Sequence, residues 1–172
     1  SLVQNLKVAS AGGEASTSAI AQDIVDKMED GILYIIGPGT TTRAIAEELG
    51  LEKTLLGVDV VLDRALVAAD VNETQLLNLL EAHGAGGARI IVTPIGGQGY
   101  LFGRGNQQIS PRVIQRVGRE NIIVVSTPDK LHALGSQPLL VDTGDRVVDE
   151  MLSGYMMVVT GYNERAVRKV SC

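Results

Sequence analysis

Apolar positions along this chain follow two rhythms. One is the unbroken run: Ile32-Leu33-Tyr34-Ile35-Ile36, Thr54 to Leu62, Leu66 to Ala69, Ala88 to Pro94, Asn121 to Val125, Leu139 to Val141 and Tyr155 to Thr160. Runs of this length, rich in Val and Ile, read as strands, and the continuous ones as strands buried on both faces. The other rhythm is helical. Ile20, Ile24, Val25 and Met28 share one face of a stretch from Glu14 to Met28, and Ala44, Ile45, Ala46 and Leu49 follow the first strand. Leu76, Leu77, Leu79 and Leu80 mark a third helix, and Val113, Ile114 and Val117 a fourth. Leu131 and Leu134 belong to a short fifth helix, and Val147, Val148, Met151 and Leu152 to a sixth.

The boundaries carry their own signals. Asn72 with Gln75 makes a capping-box pair. Ser110-Pro111 and Thr127-Pro128 are cap-and-proline starts, and Gly50, Gly84, Gly118 and Gly135 stand where helices end. Leu2, Val3, Leu6 and Val8 predict an edge strand, Ser10 to Gly13 a flexible turn, and Glu164 to Val170 a strand returning against Tyr155–Thr160. Strands that alternate with helices predict an α/β fold: a mainly parallel sheet with helices on both faces and a C-terminal hairpin, in one domain over 1–172. In such sheets ligands bind beyond the carboxyl ends of the strands. Those ends are Gly37 to Arg43, Pro94 to Gly99, Ser126-Thr127 and Asp142 to Asp145, and the polar clusters are expected to converge there.

The first such end is Gly37-Pro38-Gly39, followed by Thr40, Thr41, Thr42 and Arg43 at the start of a helix. A glycine turn lets backbone approach a ligand, and helical N–H groups with the helix dipole favour an anion. No GK[ST] is present and GxGxxG fails at Thr42, so neither nucleotide fingerprint applies. The turn reads as a phosphate or carboxylate site, or as a tight turn whose Thr40 caps the helix. Gly12-Gly13 is a second anion-site candidate, or a simple helix entry. The stretch Ile95 to Ser110 holds Gly96, Gly97, Gly99, Gly103 and Gly105, with Gln98, Arg104, Asn106, Gln107 and Gln108. So many planar donors suit a ligand-binding loop better than a flexible connector. Asp59 interrupts an apolar run, so its carboxylate must find partners or lie at the strand end. Asp59 and Asp63 are candidates for a ribose hydroxyl or a general base, with a hairpin turn the favoured reading of Asp63.

Composition narrows the classes. The chain has 172 residues, 45% hydrophobic, with 3% aromatic and no Trp, enough for a substantial aliphatic core. Few aromatics, a net charge of −5 and no basic stripe argue against a nucleic-acid partner. One cysteine, Cys172, excludes a disulfide framework, and His83 and His132 lack metal-ligand spacing. They read as surface residues near helix ends, and no direct metal ligand is expected. No run of 18 apolar residues and no signal peptide is visible, so no membrane partner is expected and the cytoplasm is the expected location.

Two resemblances follow from these residues. Gly37-Pro38-Gly39-Thr40-Thr41-Thr42 before a helix resembles the phosphate loop of ribose-5-phosphate isomerase and related sugar-phosphate-binding domains. A longer one covers Ser10 to Val170: GPGTTTRAIAEELGL, LLGVDVVLD, IVTPIGGQGYLFGRGNQQISPRVI, NIIVVSTP and LLVDTGD strongly resemble the C-terminal half of the ATP-NAD kinase family, in its longer bacterial and archaeal branch. Thr93 to Pro111 is its most specific part. Arg64 stands where glycine would be expected after Leu62-Asp63. The better-known branch has a β-rich C-terminal domain, whereas periodicity here predicts α/β.

The resemblance implies phosphorylation of NAD to NADP, with ATP and Mg2+ as cofactors. It also implies a partner domain, because NAD kinases carry a GGDG motif in an N-terminal domain and this sequence has none. The chain then reads as a C-terminal fragment, inactive alone, with the catalytic aspartate elsewhere and no catalytic residue assigned here. Nucleotide would lie along Gly37 to Arg43 and Gly96 to Gln108, with Asp59, Asp142 or Asp145 binding ribose or helping to hold Mg2+ through water. Rival readings are a sugar-phosphate or nucleotide sensing module without catalysis, and an interaction domain dimerising through the final hairpin. A homo-oligomer is expected.

Overall fold

The computed structural model describes residues 2–104 and 106–172. The long first helix α1 (Leu2–Asp26) leads to β1 (Leu33–Ile36), α2 (Thr40–Glu48), the hairpin β2 (Asp59–Leu62) and β3 (Ala65–Ala68), and α3 (Glu73–His83). Then come β4 (Ala88–Val92), β5 (Tyr100–Phe102), α4 (Pro111–Val117), β6 (Ile122–Val125) and α5 (Pro128–Ala133). The chain closes with β7 (Leu139–Val141), α6 (Arg146–Leu152), β8 (Gly154–Gly161) and β9 (Glu164–Ser171). All nine strands share one sheet in the order β3-β2-β1-β4-β6-β8-β9-β7-β5.

The predicted α/β class with a mainly parallel sheet and a C-terminal hairpin holds. β1, β4, β6 and β8 are mutually parallel, and β9 turns back against β8 as the predicted hairpin. β7 and β5 then run parallel to β9, so they oppose the central four. β1, from the run Ile32–Ile36, lies inside the sheet between β2 and β4, and its residues serve both faces. Leu33 and Ile35 pack with Leu76, Leu80, Val113, Ile114, Val148 and Leu152 from α3, α4 and α6. Tyr34 and Ile36 pack with Ile20, Ile24 and Ile45 from α1 and α2 on the other face. Helices on both faces thus follow from the period of two along one strand.

The predicted caps form. Asn72 and Gln75 close a reciprocal box, and Ser110 and Thr127 accept from the Val113 and Lys130 amides ahead of Pro111 and Pro128. Asp63 and Arg64 both take left-handed backbone, φ 51° and 64°, at the tip of the β2–β3 hairpin, so the glycine expected at 64 is replaced by an arginine held there. Its guanidinium donates to the Val25 carbonyl at 2.9 Å, tying the hairpin to the end of α1.

Three predicted elements differ. The edge strand over 1–8 and the turn at Ser10–Gly13 give way to helix, since α1 begins at Leu2 and runs through both glycines. The spacing of Leu2 to Leu6 fits a helix as well as a strand, and glycine in a helix costs only about 1 kcal/mol against alanine. The strand expected from Thr54 begins only at Asp59. Its buried carboxylate draws the preceding segment into a loop, accepting from the Thr54 amide and hydroxyl, both at 2.8 Å, and from the Asp70 amide at 2.7 Å.

α1 is clamped to the β8–β9 turn. Asp23, fully buried, accepts from Lys27, from the Asn163 amide at 2.8 Å and from Arg165 at 2.8 Å. Burial pushes its carboxyl up, but these three donors outweigh burial and hold it below the usual carboxylate range. Tyr162 adds a hydrogen bond to Asp26 at 2.7 Å, and Lys27 donates to the Asn163 side chain at 2.7 Å.

Candidate functional site

β1 ends at Ile36 because Gly37-Pro38-Gly39 follows, and the chain re-enters a helix at Thr40. Gly39, φ 126°, is the N-cap and offers no side chain, so Thr40 does not cap the helix. The turn lies close to β4: a Cβ at Gly39 would come within 2.6 Å of Thr93 Cγ2. Thr42 braces the turn from inside, its hydroxyl donating to the carbonyls of Gly37 at 2.7 Å and Gly39 at 3.1 Å. This leaves Thr40 and Thr41 at the mouth of α2, on a cavity of about 520 Å3. Gly39, Ala44 and Glu47 around α2, Thr93, Pro94 and Ile95 beyond β4, Thr127 and Lys130 beyond β6, and Gly13 and Thr17 of α1 complete its walls.

Lys130 is the cation of this cavity. Its ammonium donates to the Gly96 carbonyl at 2.8 Å, which holds it beside the loop that follows β4. Lys130, Thr17 and Thr93 were not among the candidate residues of the sequence, whereas Thr127 lies at one of the strand ends where a ligand was expected. The signal was available: Thr127-Pro128 starts a helix directly after a strand, which puts the third helical residue near that strand's carboxyl end. What the sequence did not supply was the adjacency of β6 to β4. Arg43, in contrast, lies outward, paired with Glu47 at 3.3 Å, and does not line the cavity. Gly12-Gly13 sits inside α1, so no helix N-terminus exists there, yet Gly13 reaches the wall of the same cavity.

The loops after β5 and β7 build a second cavity of about 480 Å3, walled by Gly103, Arg104, Asn106, Gln107, Ile109, Ser110, Pro111, Asp142, Thr143 and Gly144. The expected convergence of all the polar clusters is therefore corrected. β5 and β7 oppose β4 and β6, and each strand adds its twist, so their carboxyl ends leave the sheet in another direction. Asp142 goes with Gly103 to Gln107, not with Gly37 to Arg43. Ile109 links the two places. It lines the second cavity, and its Cδ1 would stand 3.7 Å from a Cβ on Gly37.

Within the second cavity Arg104 pairs with Asp142 at 3.5 Å and stacks 5.1 Å from the centre of the Tyr100 ring. Asp149 is buried and holds Thr143 through its amide at 3.0 Å and its hydroxyl at 2.6 Å, fixing the Asp142–Gly144 turn. Asn106 is 1% exposed and donates its Nδ2 to the Leu101 carbonyl at 2.8 Å. Gln107 and Gln108 border a shallower recess with Asn72, Glu73 and Asn106. Gly97 and Gln98 are exposed and line neither cavity. Gly99 is buried, its carbonyl accepting from Leu140 at 2.9 Å. Gly105 lies outside the described residues.

The remaining acidic candidates are occupied by the fold. Asp59, 1% exposed, spends its oxygens on Thr54 and Asp70, with Lys53 at 3.4 Å. Burial pushes the Lys53 ammonium down, against the opposing pull of Asp59 and then Asp70. Asp145 caps α6 by accepting from the Val148 amide at 3.1 Å. Asp59, Asp142 and Asp145 therefore do not fit a direct Mg2+ ligand set, and among the described residues no group of three or more acidic, His or Cys side chains is placed to hold a metal. His83 and His132 are exposed at helix ends, as expected. Among the described residues no helix is long and apolar enough to cross a membrane.

Chemically, the first cavity offers threonine hydroxyls, the start of α2 and the Lys130 ammonium, and the one lining carboxylate among the described residues, Glu47, is paired to Arg43; this suits an anion. The second offers a neutralised arginine, a carboxylate and a carboxamide, with Ile109 and Pro111 as apolar walls, which suits a neutral polar group. The profile of the ATP-NAD kinase C-terminal domain family matches residues 29–170. Neither the comparison with curated proteins nor that with solved structures found a match.

Proposed function

The chain belongs to the ATP-NAD kinase C-terminal domain family, and from that premise we propose that it is the nucleotide-binding region of an NAD kinase-like enzyme. Phosphates would lie in the first cavity, on Thr40, Thr41 and Lys130, with the base or ribose in the second, between Asn106, Gln107 and Asp142. The observation that carries this reading is that the segments after β1, β4 and β6 bring Thr40, Thr41, Thr93, Thr127 and Lys130 around one cavity. Phosphoryl transfer depends mainly on positioning and charge stabilisation, and this is what such a cavity supplies. The aspartate that activates the ribose hydroxyl would come from a GGDG-bearing N-terminal domain, so the chain alone would bind and not phosphorylate. Mg2+, where the reaction uses it, would be held by nucleotide phosphates and by that domain.

A second reading has one specific observation in its favour. Among the described residues the first cavity is lined by a single cation and shares no lining residue with the second, as a site for a small sugar phosphate would. It makes the chain a sensing or binding module without catalysis.

A thermal-shift panel with NAD, NADP, ATP, ADP and ribose 5-phosphate, with and without Mg2+, separates the two. A ligand at 100 times its dissociation constant adds about 2.7 kcal/mol to stability. NAD or ATP is expected to raise the midpoint, and Lys130→Met to weaken that binding about tenfold, the worth of a charge-assisted hydrogen bond. A rise with ribose 5-phosphate alone supports the second reading. No rise with any ligand rejects both for the isolated chain.

A further inference from the structure

The carboxamide of Asn106 is half used. Its Nδ2 donates one N–H to the Leu101 carbonyl at 2.8 Å, and the backbone amide of the residue donates to the Gly103 carbonyl at 3.3 Å. Its Oδ1 is buried and has no hydrogen-bond donor; among the described residues it is the buried side-chain polar atom left without a partner. The bond to Leu101 fixes which end of the amide is which. A buried acceptor without a donor is costly, and a folded chain keeps one where something else brings the donor. The sequence suggested that Asn106 would donate to a ligand; the geometry adds a buried acceptor, Oδ1, that is left without a donor.

Asn106 forms part of the wall of the second cavity, and the groups around it define what could supply that donor. Arg104 is directed at Asp142 and the Tyr100 ring. Ile109 and Pro111 add apolar wall beside the amide, and the volume of about 480 Å3 accommodates a ring with its substituents. Among the described residues no unpaired cation lines this cavity to hold a phosphate. We infer that Asn106 is a specificity-determining residue: its Oδ1 accepts a hydrogen bond from an exocyclic N–H of a planar ring seated in the second cavity. A carboxamide on a pyridine ring and an amino group on a purine offer the same chemistry. The inference rests on the reading of a nucleotide as ligand.

The test uses the 172-residue chain and three probes by calorimetry: NAD, nicotinic acid adenine dinucleotide and nicotinamide hypoxanthine dinucleotide. The second replaces the carboxamide N–H by a carboxylate, and the third replaces the adenine amino group by a carbonyl. One of the two analogues is expected to bind at least tenfold more weakly than NAD, and which one identifies the ring at Asn106. In Asn106→Leu that discrimination is expected to fall below about threefold through weaker NAD binding. Should this variant fail to fold, the 15N-detected side-chain amide of Asn106 in the wild type serves instead. It is expected to shift with NAD and not with the disfavoured analogue. Equal binding of all three probes overturns the inference and leaves the nucleotide reading standing. So does discrimination that survives in Asn106→Leu, or an Asn106 signal unmoved by NAD. Absence of binding by all three overturns both.

Discussion

At Gly39 the missing side chain makes room for the methyl of Thr93, which a Cβ would approach to 2.6 Å. At Gly103 it makes room for backbone, because a Cβ would come within 1.9 Å of the Asp142 carbonyl oxygen. Both glycines have positive φ and both follow a strand, yet they hold their cavities differently. The first cavity is assembled from side chains that can shift, around a turn braced by Thr42. The second is welded, with the loop after β5 pressed on the loop after β7. An anion site built from hydroxyls and one ammonium tolerates movement, since its attraction is not strongly directional. A site that reads a single N–H does not.

The strongest challenge to that contrast is Gly103→Ala. A methyl group against a fixed carbonyl, at φ 98°, should cost about 3–5 kcal/mol in urea unfolding. A loss under about 1 kcal/mol would show that the second cavity yields as easily as the first.

Asp23→Asn probes the other side. It loosens α1, which carries Gly13 and Thr17 to the first cavity only. Breaking a buried pair typically costs about 3–5 kcal/mol, but Lys27 and Arg165 retain solvent contact, so about 2–3 kcal/mol is expected. Anion binding in the first cavity should weaken while the second is unaffected. The pH dependence has a definite sign. Asp23 titrates below its unfolded value, so its stabilisation is complete above about pH 4 and is lost as pH falls through the lower folded-state pKa. Unfolding midpoints measured from pH 6 to 2.5 should converge for wild type and variant at the acid end.

Arg104→Ala should have the smallest effect on stability. Its ion pair with Asp142 is 68% and 54% exposed, and such pairs are worth about 0–1 kcal/mol. A larger loss would mean that the pair, and not the Gly103–Asp142 contact, holds the second cavity together.

Most of the fold was legible because long apolar runs and explicit caps leave few options: β1, β4, β6, α3, α4 and α5 lie where their patterns put them. What escaped was short or decided at a distance. β5 has three residues, of which Leu101 and Phe102 alone are strongly apolar, too few to display a period. The start of β2 is set by hydrogen bonds from Thr54 and Asp70 to one carboxylate, which an apolar profile does not register. For the site, the glycine-threonine turn was visible as chemistry. Lys130 and the division into two cavities were not, because both depend on which strands are neighbours and in which direction they run.

The placement of β9 bears on how the molecule comes to be made. β5 is hydrogen-bonded to β7, and β7 to β9, while the central strands can pair among themselves. On a ribosome that has translated only to Asn163, the sheet around β1 has its partners and its helices, but β7 and β5 have no template. Residues 100–102 must then wait for residues about 65 positions later before they are ordered, a long-range closure that slows folding and exposes apolar chain meanwhile. The half that carries Lys130 is thus expected to mature first. The half that carries Asn106 becomes competent only when the last strand has been delivered.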